Sequence, residues 1–452
     1  MTHPTGPSSL RSRMRSGLRG LAGDALYRGS LFLLINTVAT SAIGFVFWAL
    51  AARRYPAAAV GVFASVTSGV GLLAAIAALG LSNTIIRRVA GAVNPRELVA
   101  VAVAAIGTVG TALCLLTVVF LGPLLPAALH LQQHGRMAFL LTALVVCTAV
   151  GTTLDACLVG VRASHVVLVK NVLGSLVKVG ALVLLTALRF SGLLIAYGLG
   201  LVMATMLGAL ALSIRLRGRR VRLSSFRALP RYLSMTSGNY AATVMGIVPT
   251  SIVPVEVLII RGAAETARFA VAFLIAGFLN FIPSTIAQVL FAEASRPGVT
   301  LGGQLRKAIR GVYGLVLPAV AVVVVAAPLL LRLFGAPYLA ATGCLRVLAL
   351  SALFTGGTYL VDSLLIARDR TRAYVFMNGA NAALVVGCVA VALPHGLTAA
   401  AVGWAVAQVL SLLLGLAVLA TGRIGRHHSL ASAAGRPAAG YSRSASAARS
   451  RL

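Results

Sequence analysis

Apolar runs of about twenty residues, the length a helix needs to cross hydrocarbon, alternate with short polar segments along the whole chain. Segments of alternating polarity about ten residues long, which would mark barrel strands, are absent, so helices are the remaining spanning solution. The runs predict spans near 30–52, 59–81, 98–121, 138–160, 167–188, 192–214, 233–260, 267–292, 311–334, 342–366, 374–393 and 398–421. The pattern therefore predicts an all-α polytopic membrane protein with about twelve transmembrane helices. Prolines interrupt the seventh span (Pro249, Pro254), the eighth (Pro283) and the ninth (Pro318, Pro328). Each frees a backbone carbonyl, which is tolerated where protein or water meets it.

The segments between runs divide the chain. Residues 1–28 form a basic head, 29–214 a first group of six spans, and 215–231 (RLRGRRVRLSSFRALPR) a basic linker. Residues 232–422 form a second group of six. Residues 423–452, rich in Ser, Ala, Arg and Gly, read as a disordered tail. The head has no apolar core before a small-residue cleavage site, so it is no cleavable signal. It suits a basic amphipathic helix on an anionic leaflet.

Composition sharpens this picture. Apolar types make up 59% of the chain and charged types 10%, against roughly 45–50% and about 25% in soluble domains. A soluble protein with net charge +31 would suggest nucleic acid. Here the basic residues cluster in loops and tails, which points to membrane topology and to no nucleic-acid partner. With the N-terminus cytoplasmic, 30 of the 39 Lys and Arg fall in cytoplasmic segments, 8 in outer ones, and Lys178 inside a span. That bias places both termini in the cytoplasm. Arg outnumbers Lys 36 to 3, read here as the codon bias of a GC-rich bacterium, so the membrane is the bacterial cytoplasmic membrane.

Catalytic signatures are missing. There is no Walker A loop, HExxH, GxSxG or dinucleotide fingerprint, and the outer loops are short. Cys114, Cys147, Cys157, Cys344 and Cys388 lie in apolar runs without paired spacing, so inert thiols are expected rather than disulfides or a metal site. The chain is read as no enzyme, with no bound cofactor or metal; coupling to H+ or Na+ stays open.

The two groups of six look related. At an offset of 207, Arg54 meets Arg261, Asp155 meets Asp362, Asn171 meets Asn378 and Gly180 meets Gly387; Gly192 meets Gly396 at 204. Six is even, so both halves enter from the same side and the repeat is parallel. Transporters with repeats hold substrate between the halves and rock around it.

A charge at mid-bilayer costs about 2.5–3.5 kcal/mol on insertion scales, so each is a functional candidate. Lys178 lies near the centre of the fifth span. Asp155, across the turn at 161–166, is expected at similar depth and able to pair with it, as a structural ion pair or as an element facing a central cavity. Val385 replaces Lys178 in the second half, so Asp362 lacks that partner and would turn to Arg368 or to water. Glu256 follows Pro254 near the outer end of span seven, where it serves coupling or simply sees water. Arg53, Arg54, Arg87, Arg88, Arg261 and Arg268 are topology signals or, if inward-facing, a cationic vestibule for a diphosphate, whose oxygens guanidinium binds bidentately. Asn36, Asn83, Asn239, Asn280, Asn378 and Asn381 are expected to hydrogen-bond between helices.

Four stretches carry a resemblance: ALAARRYPAAAVGVFASVTSGVGLLAAIAALGLSNTIIRR (49–88), VEVLIIRGAAETARFAVAFLIAGFLNFIPSTIAQVLFAEASR (255–296), LFGAPYLAATGCLRVLALSALFTGGTYLVDSLLIARDRTRAYVFMNGAN (333–381) and HGLTAAAVGWAVAQVL (395–410). They resemble the polysaccharide biosynthesis, or lipid-linked oligosaccharide flippase, family, of the superfamily that also holds multidrug and toxin extrusion pumps. Phe63 stands where the family usually has Tyr, and Glu256 where Asp is commoner. The resemblance implies two six-helix bundles around a V-shaped central cavity. It implies a polyprenyl-diphosphate-linked glycan as cargo, and a polysaccharide polymerase and glycosyltransferases as partners. A cation-coupled multidrug antiporter is the alternative, disfavoured by so few acids within the spans. A non-transporting scaffold for polysaccharide assembly is another.

Overall fold

The computed structural model describes residues 25–89, 94–121, 135–216, 237–294, 301–368 and 370–424. The head up to residue 24, most of the 215–231 linker and the tail from 425 lie outside the described residues. The described residues are helical, with no strand among them. Fourteen helices follow in order: α1 Ala25–Arg54, α2 Ala57–Ala77, α3 Leu81–Arg88, α4 Pro95–Leu121, α5 Gly135–Gly160, α6 Ser164–Leu184, α7 Arg189–Arg215, α8 Ser237–Arg261, α9 Ala263–Leu279, α10 Phe281–Ala294, α11 Leu301–Arg332, α12 Thr342–Ala367, α13 Thr371–Ala392 and α14 Leu397–Ile424.

Twelve segments of this set are long and apolar enough to cross a membrane, the eighth formed by α9 running on into α10. They fall within a few residues of the predicted spans, except at the ninth and tenth, whose starts come eight and six residues earlier, and at the seventh, whose predicted first residues, 233–236, lie outside the described residues. Side chains such as Leu184 (82% exposed), Val325 (78%) and Phe139 (72%) lie on the outside. Such large bare apolar groups suit lipid as the surrounding solvent, and helices satisfy their backbone polar groups internally there. The chain is a multi-pass membrane protein.

Proline does not end the spans as it would end a soluble helix. α8 continues through Pro249 and Pro254, and α11 through Pro318 and Pro328. The Pro254 carbonyl, which is not the one its own ring frees, accepts a hydrogen bond of 2.7 Å from Ser65 Oγ of α2. The eighth span does break, at Asn280, three residues before Pro283. α2 ends where Leu79 and Gly80 take positive φ (52° and 64°), a pair that turns the chain into α3. Gly carries this conformation without a Cβ clash, which Leu does not.

The repeat seen in sequence is also a repeat of packing. In the first half, span one packs on five, five on six, four on six, and three on four. In the second, span seven packs on eleven, eleven on twelve, ten on twelve, and nine on ten. The two halves meet where α2 lies against α8 and α9. A Cβ on Gly61 of α2 would fall 1.8 Å from the Ala263 carbonyl oxygen. Only glycine permits that approach.

Candidate functional site

The carboxylate of Asp155 is placed by a tight turn. α5 ends at Gly160 and α6 starts at Ser164, with Arg162 at φ 58° between them. Asp155 then lies level with Lys170, not with Lys178, which is eight residues further along α6. At ~1.5 Å per residue that is about 12 Å deeper. Lys170 Nζ sits 2.6 Å from Asp155 Oδ1, with the lysine almost wholly buried and the aspartate about a quarter exposed. Asn171 Nδ2 donates to the other carboxylate oxygen at 3.2 Å, and Lys170 Nζ also reaches Asn171 Oδ1 at 2.8 Å. The expected Asp155–Lys178 pair is thus corrected: the partner is Lys170, at the start of the predicted fifth span. Gly208 of α7 makes the room, since a Cβ there would lie 3.2 Å from the lysine stem.

Lys178 finds an aromatic partner. Its Nζ lies 4.7 Å from the centre of the Tyr197 ring. Its stem crosses α7 at Gly200, whose absent Cβ would stand 2.2 Å from Lys178 Cγ. Tyr197 in turn packs on Phe47 and Phe63. The lysine therefore belongs to the interior of the first half, where a cation over a ring face is stabilised by the ring quadrupole.

In the second half the same carboxylate meets a different set. Asp362 lines a cavity of ≈ 30 Å³ with Thr358, Val361, Met377, Asn378, Asn381 and Ser411. Asn378 lines it too, but its Nδ2 donates to the Tyr374 carbonyl of its own helix at 3.0 Å, where Asn171 donates to Asp155. Position 377, which the offset of 207 equates with Lys170, is methionine. Asp362 is thus placed in a small polar chamber rather than against a tethered cation.

Glu256 lies in α8 with its Oε2 buried and no hydrogen-bond partner. Asn36, Asn280 and Asn381 each carry a buried Oδ1 in the same condition. The expectation of interhelical hydrogen bonds therefore does not account for these three oxygens. Asn83 and Asn239 have side chains outside the described residues.

The arginines do not converge. Arg54 and Arg261 are exposed at one face of the molecule, called here the Arg54 face. Arg87 and Arg88 end α3 beyond the other end of α2, roughly 30 Å away along that helix; their side chains lie outside the described residues. Several arginines turn to backbone carbonyls. Arg53 Nε donates to Leu333 O at 2.8 Å, linking the first half to the second; Arg261 reaches Pro394 O at 3.4 Å; Arg268 binds Pro337 O and Glu265. Phe45 stacks edge-on against Phe334 beneath the Arg53 contact. At the opposite end of α2, the Tyr240 hydroxyl of α8 donates to the Ala75 and Ile76 carbonyls.

The sequence pointed to Asp155, Lys178, Glu256 and Asp362 because charge within an apolar run is conspicuous. It passed over Lys170, which lies three residues inside the start of the predicted fifth span, among the basic residues of the inner side. Thr358 and Ser411 are too common in helices to stand out. The offset of 207 held the missing signal, since it sets Lys170, beside Asp155 and Asn171, against Met377 in the second half. The five cysteines are free thiols. Among the described residues no three His, Cys, Asp or Glu side chains converge.

Several solved structures share this fold. The chain is similar to the inward-facing form of a multidrug resistance MATE family transporter of the MOP superfamily, at 17% identity and TM-score 0.66, over 86% of this chain and 96% of that one. It is similar to the inward closed conformation of the lipid II flippase MurJ, at 12% identity and TM-score 0.65, over 86% and 87%. A MOP superfamily transporter from Pyrococcus furiosus, described as having a binding pocket of reversed polarity, matches at 17% identity and TM-score 0.51, over 87% and 95%. No curated protein matches the sequence. The family model for polysaccharide biosynthesis proteins matches residues 26–308, more than half of the chain, and the chain belongs to that family.

Proposed function

We propose that this protein is a flippase, carrying a polyprenyl-diphosphate-linked glycan from the cytoplasmic to the outer leaflet of a bacterial inner membrane. The observation that carries this reading is the seam between two alike halves. Its polar contacts are single hydrogen bonds at Ser65, Tyr240 and Arg53, set in an apolar contact of α2 with α8 and α9 that includes the close approach at Gly61. Two repeated bundles joined in this way can rock about a bound cargo and expose it to each side in turn. Membership of the polysaccharide biosynthesis family supports a glycan as the cargo. The lipid II flippase among its structural relatives supports a lipid carrier.

In this reading the protein makes and breaks no covalent bond. Its residues bind, reorient and release. Lys178 is the cation within the first bundle available to a phosphate, and Arg54 and Arg261 meet the cargo at the outer surface. The positive-inside bias puts the Arg54 face outside and both termini in the cytoplasm. Polymerase and glycosyltransferases are the partners that supply and consume the cargo, anionic lipids meet the basic head, and a small cation drives the cycle.

The test is translocation by the full chain in proteoliposomes, using a fluorescent polyprenyl-diphosphate glycan and a quencher confined to one leaflet. Protein-dependent loss of protection supports the reading. No movement of any such glycan, together with normal surface polysaccharide in a deletion strain, overturns it. A deletion strain that instead became drug-sensitive would favour the antiporter.

A further inference from the structure

We infer that Arg346 supplies from its side chain the backbone donor that Pro328 takes from α11, and so positions the end of α11 that closes on the first half at the Arg54 face. The contact is independent of the cargo; its part in the cycle rests on the flippase reading.

Proline has no N–H, so in a helix the carbonyl four residues before it loses its bond. For Pro328 that carbonyl is Val324 O, and α11 runs through both residues. Arg346 of α12 donates from Nε to this same oxygen at 3.1 Å. A freed carbonyl is tolerated in a spanning helix when a neighbouring helix answers it. Here the answer comes from an arginine in apolar surroundings. Arg346 lies one turn inside α12, on an exposed side that continues through Leu350 and Phe354. The neighbouring stretch of α11 exposes Val322, Val325 and Leu329. A charge placed there is costly without a partner, and neither ion pair among the described residues includes Arg346.

The repeat supplies a second observation. The offset of 207 sets Thr342, the first residue of α12, on Gly135, the first residue of α5, so the halves are in register here. Pro328 then matches Leu121, and Arg346 matches Phe139. The first half has neither the proline nor the arginine, and the second has both. A donor and the carbonyl it serves should come and go together in this way.

The kink sits just beneath the seam. Pro328 stands four residues before Arg332, where α11 ends. The two residues that follow meet the first half. Leu333 O accepts from Arg53 Nε at 2.8 Å, and the fully buried Phe334 ring meets Phe45 edge-on, with ring centres 5.2 Å apart. Helices kink at proline, so the direction of the last turn of α11 is set at Pro328 and held by Arg346. Arg346 is thus a positioning residue: releasing Val324 O frees that turn to move away from α1.

The experiment uses the full chain in nanodiscs, without glycan, with the five native cysteines replaced by alanine. Nitroxides are attached at Arg54→Cys and Arg332→Cys. Both positions are exposed, and they border the Arg53–Leu333 contact without forming it. The distribution of distances between the labels and the unfolding midpoint are read. Arg346→Leu should raise the far population about tenfold, as loss of a hydrogen bond from a charged donor implies, and lower the midpoint. Arg346→Gln should stay close to the parent, because its amide nitrogen lies as many bonds from Cα as arginine Nε does. In Pro328→Ala the new N–H at 328 bonds Val324 O, so adding Arg346→Leu should change the far population by less than about twofold and leave the midpoint in place. If Arg346→Leu alone is too unstable to purify, its recovery in the double variant supports the inference and its continued loss overturns it. Equal effects of Arg346→Leu in both backgrounds, no effect in the parent, or a Gln variant that behaves as the Leu variant does, also overturn it. The coupling without glycan translocation by the unlabelled parent would leave the clamp standing and remove the flippase reading; translocation without the coupling would do the reverse.

Discussion

A lysine and a methionine at equivalent positions give the two halves different chemistry. Lys170 and Asp155 form a pair whose members depend on each other, because either one alone would be a charge left in a low-dielectric site. Lys170→Met should therefore lower stability by about 3 kcal/mol, read as an earlier unfolding transition in detergent. The double change Lys170→Met with Asp155→Leu should recover most of the loss. If the single change cost nothing, the pair would not be holding α5 to α6. Lys178 differs in kind, with an aromatic ring rather than a carboxylate as its partner. A cation–ring contact contributes about 0.5–2 kcal/mol, so Lys178→Leu should be folded and close to parent stability. Under the flippase reading its translocation of a diphosphate-linked glycan should nevertheless fall, as proteoliposome assays would record.

α2 is the element through which the halves meet, so its small residues matter beyond packing. Gly61→Val would push a side chain into the Ala263 carbonyl, where even a Cβ would stand at 1.8 Å. Overpacking of this kind costs about 1–3 kcal/mol, enough to reduce the closed population about tenfold. Cysteines placed at Arg53 and Leu333, which lie one arginine side chain apart, should be bridged readily by a short bifunctional thiol reagent in the parent and poorly in Gly61→Val. Equal cross-linking in both would mean that the seam tolerates the added bulk. Ser65→Ala removes one hydrogen bond to the Pro254 carbonyl, worth about 1 kcal/mol. It should loosen the same cross-link less than Gly61→Val does.

For the whole molecule, the arrangement of charge predicts an orientation. With 30 basic residues on one side against 8 on the other, a fluorescent protein fused after residue 452 should fold and fluoresce in the cytoplasm. An alkaline phosphatase fused at the same place should stay inactive. The opposite pattern would invert every assignment of inner and outer face made for Arg54, Arg261 and the seam.

Twelve spans, their approximate limits and the six-plus-six repeat were all written in the chain. Their cause is local: each apolar run needs only its own length and composition to be a span, and identities at a fixed offset need no structure to be counted. The four charges inside spans were legible for the same reason. Tertiary structure decided which of them meet. Asp155 lies six residues before the turn and Lys178 at least twelve after it, so depth alone separates them, and the close turn between Gly160 and Ser164 brings Lys170 level instead. The exposure of Arg54 and Arg261, the ring beneath Lys178 and the chamber at Asp362 depend on how helices rotate and how closely their small residues let them approach. Periodicity gives a helix its length, but its rotation is set by contacts with neighbours distant in sequence, such as Ser65 with Pro254 or Gly208 with Lys170.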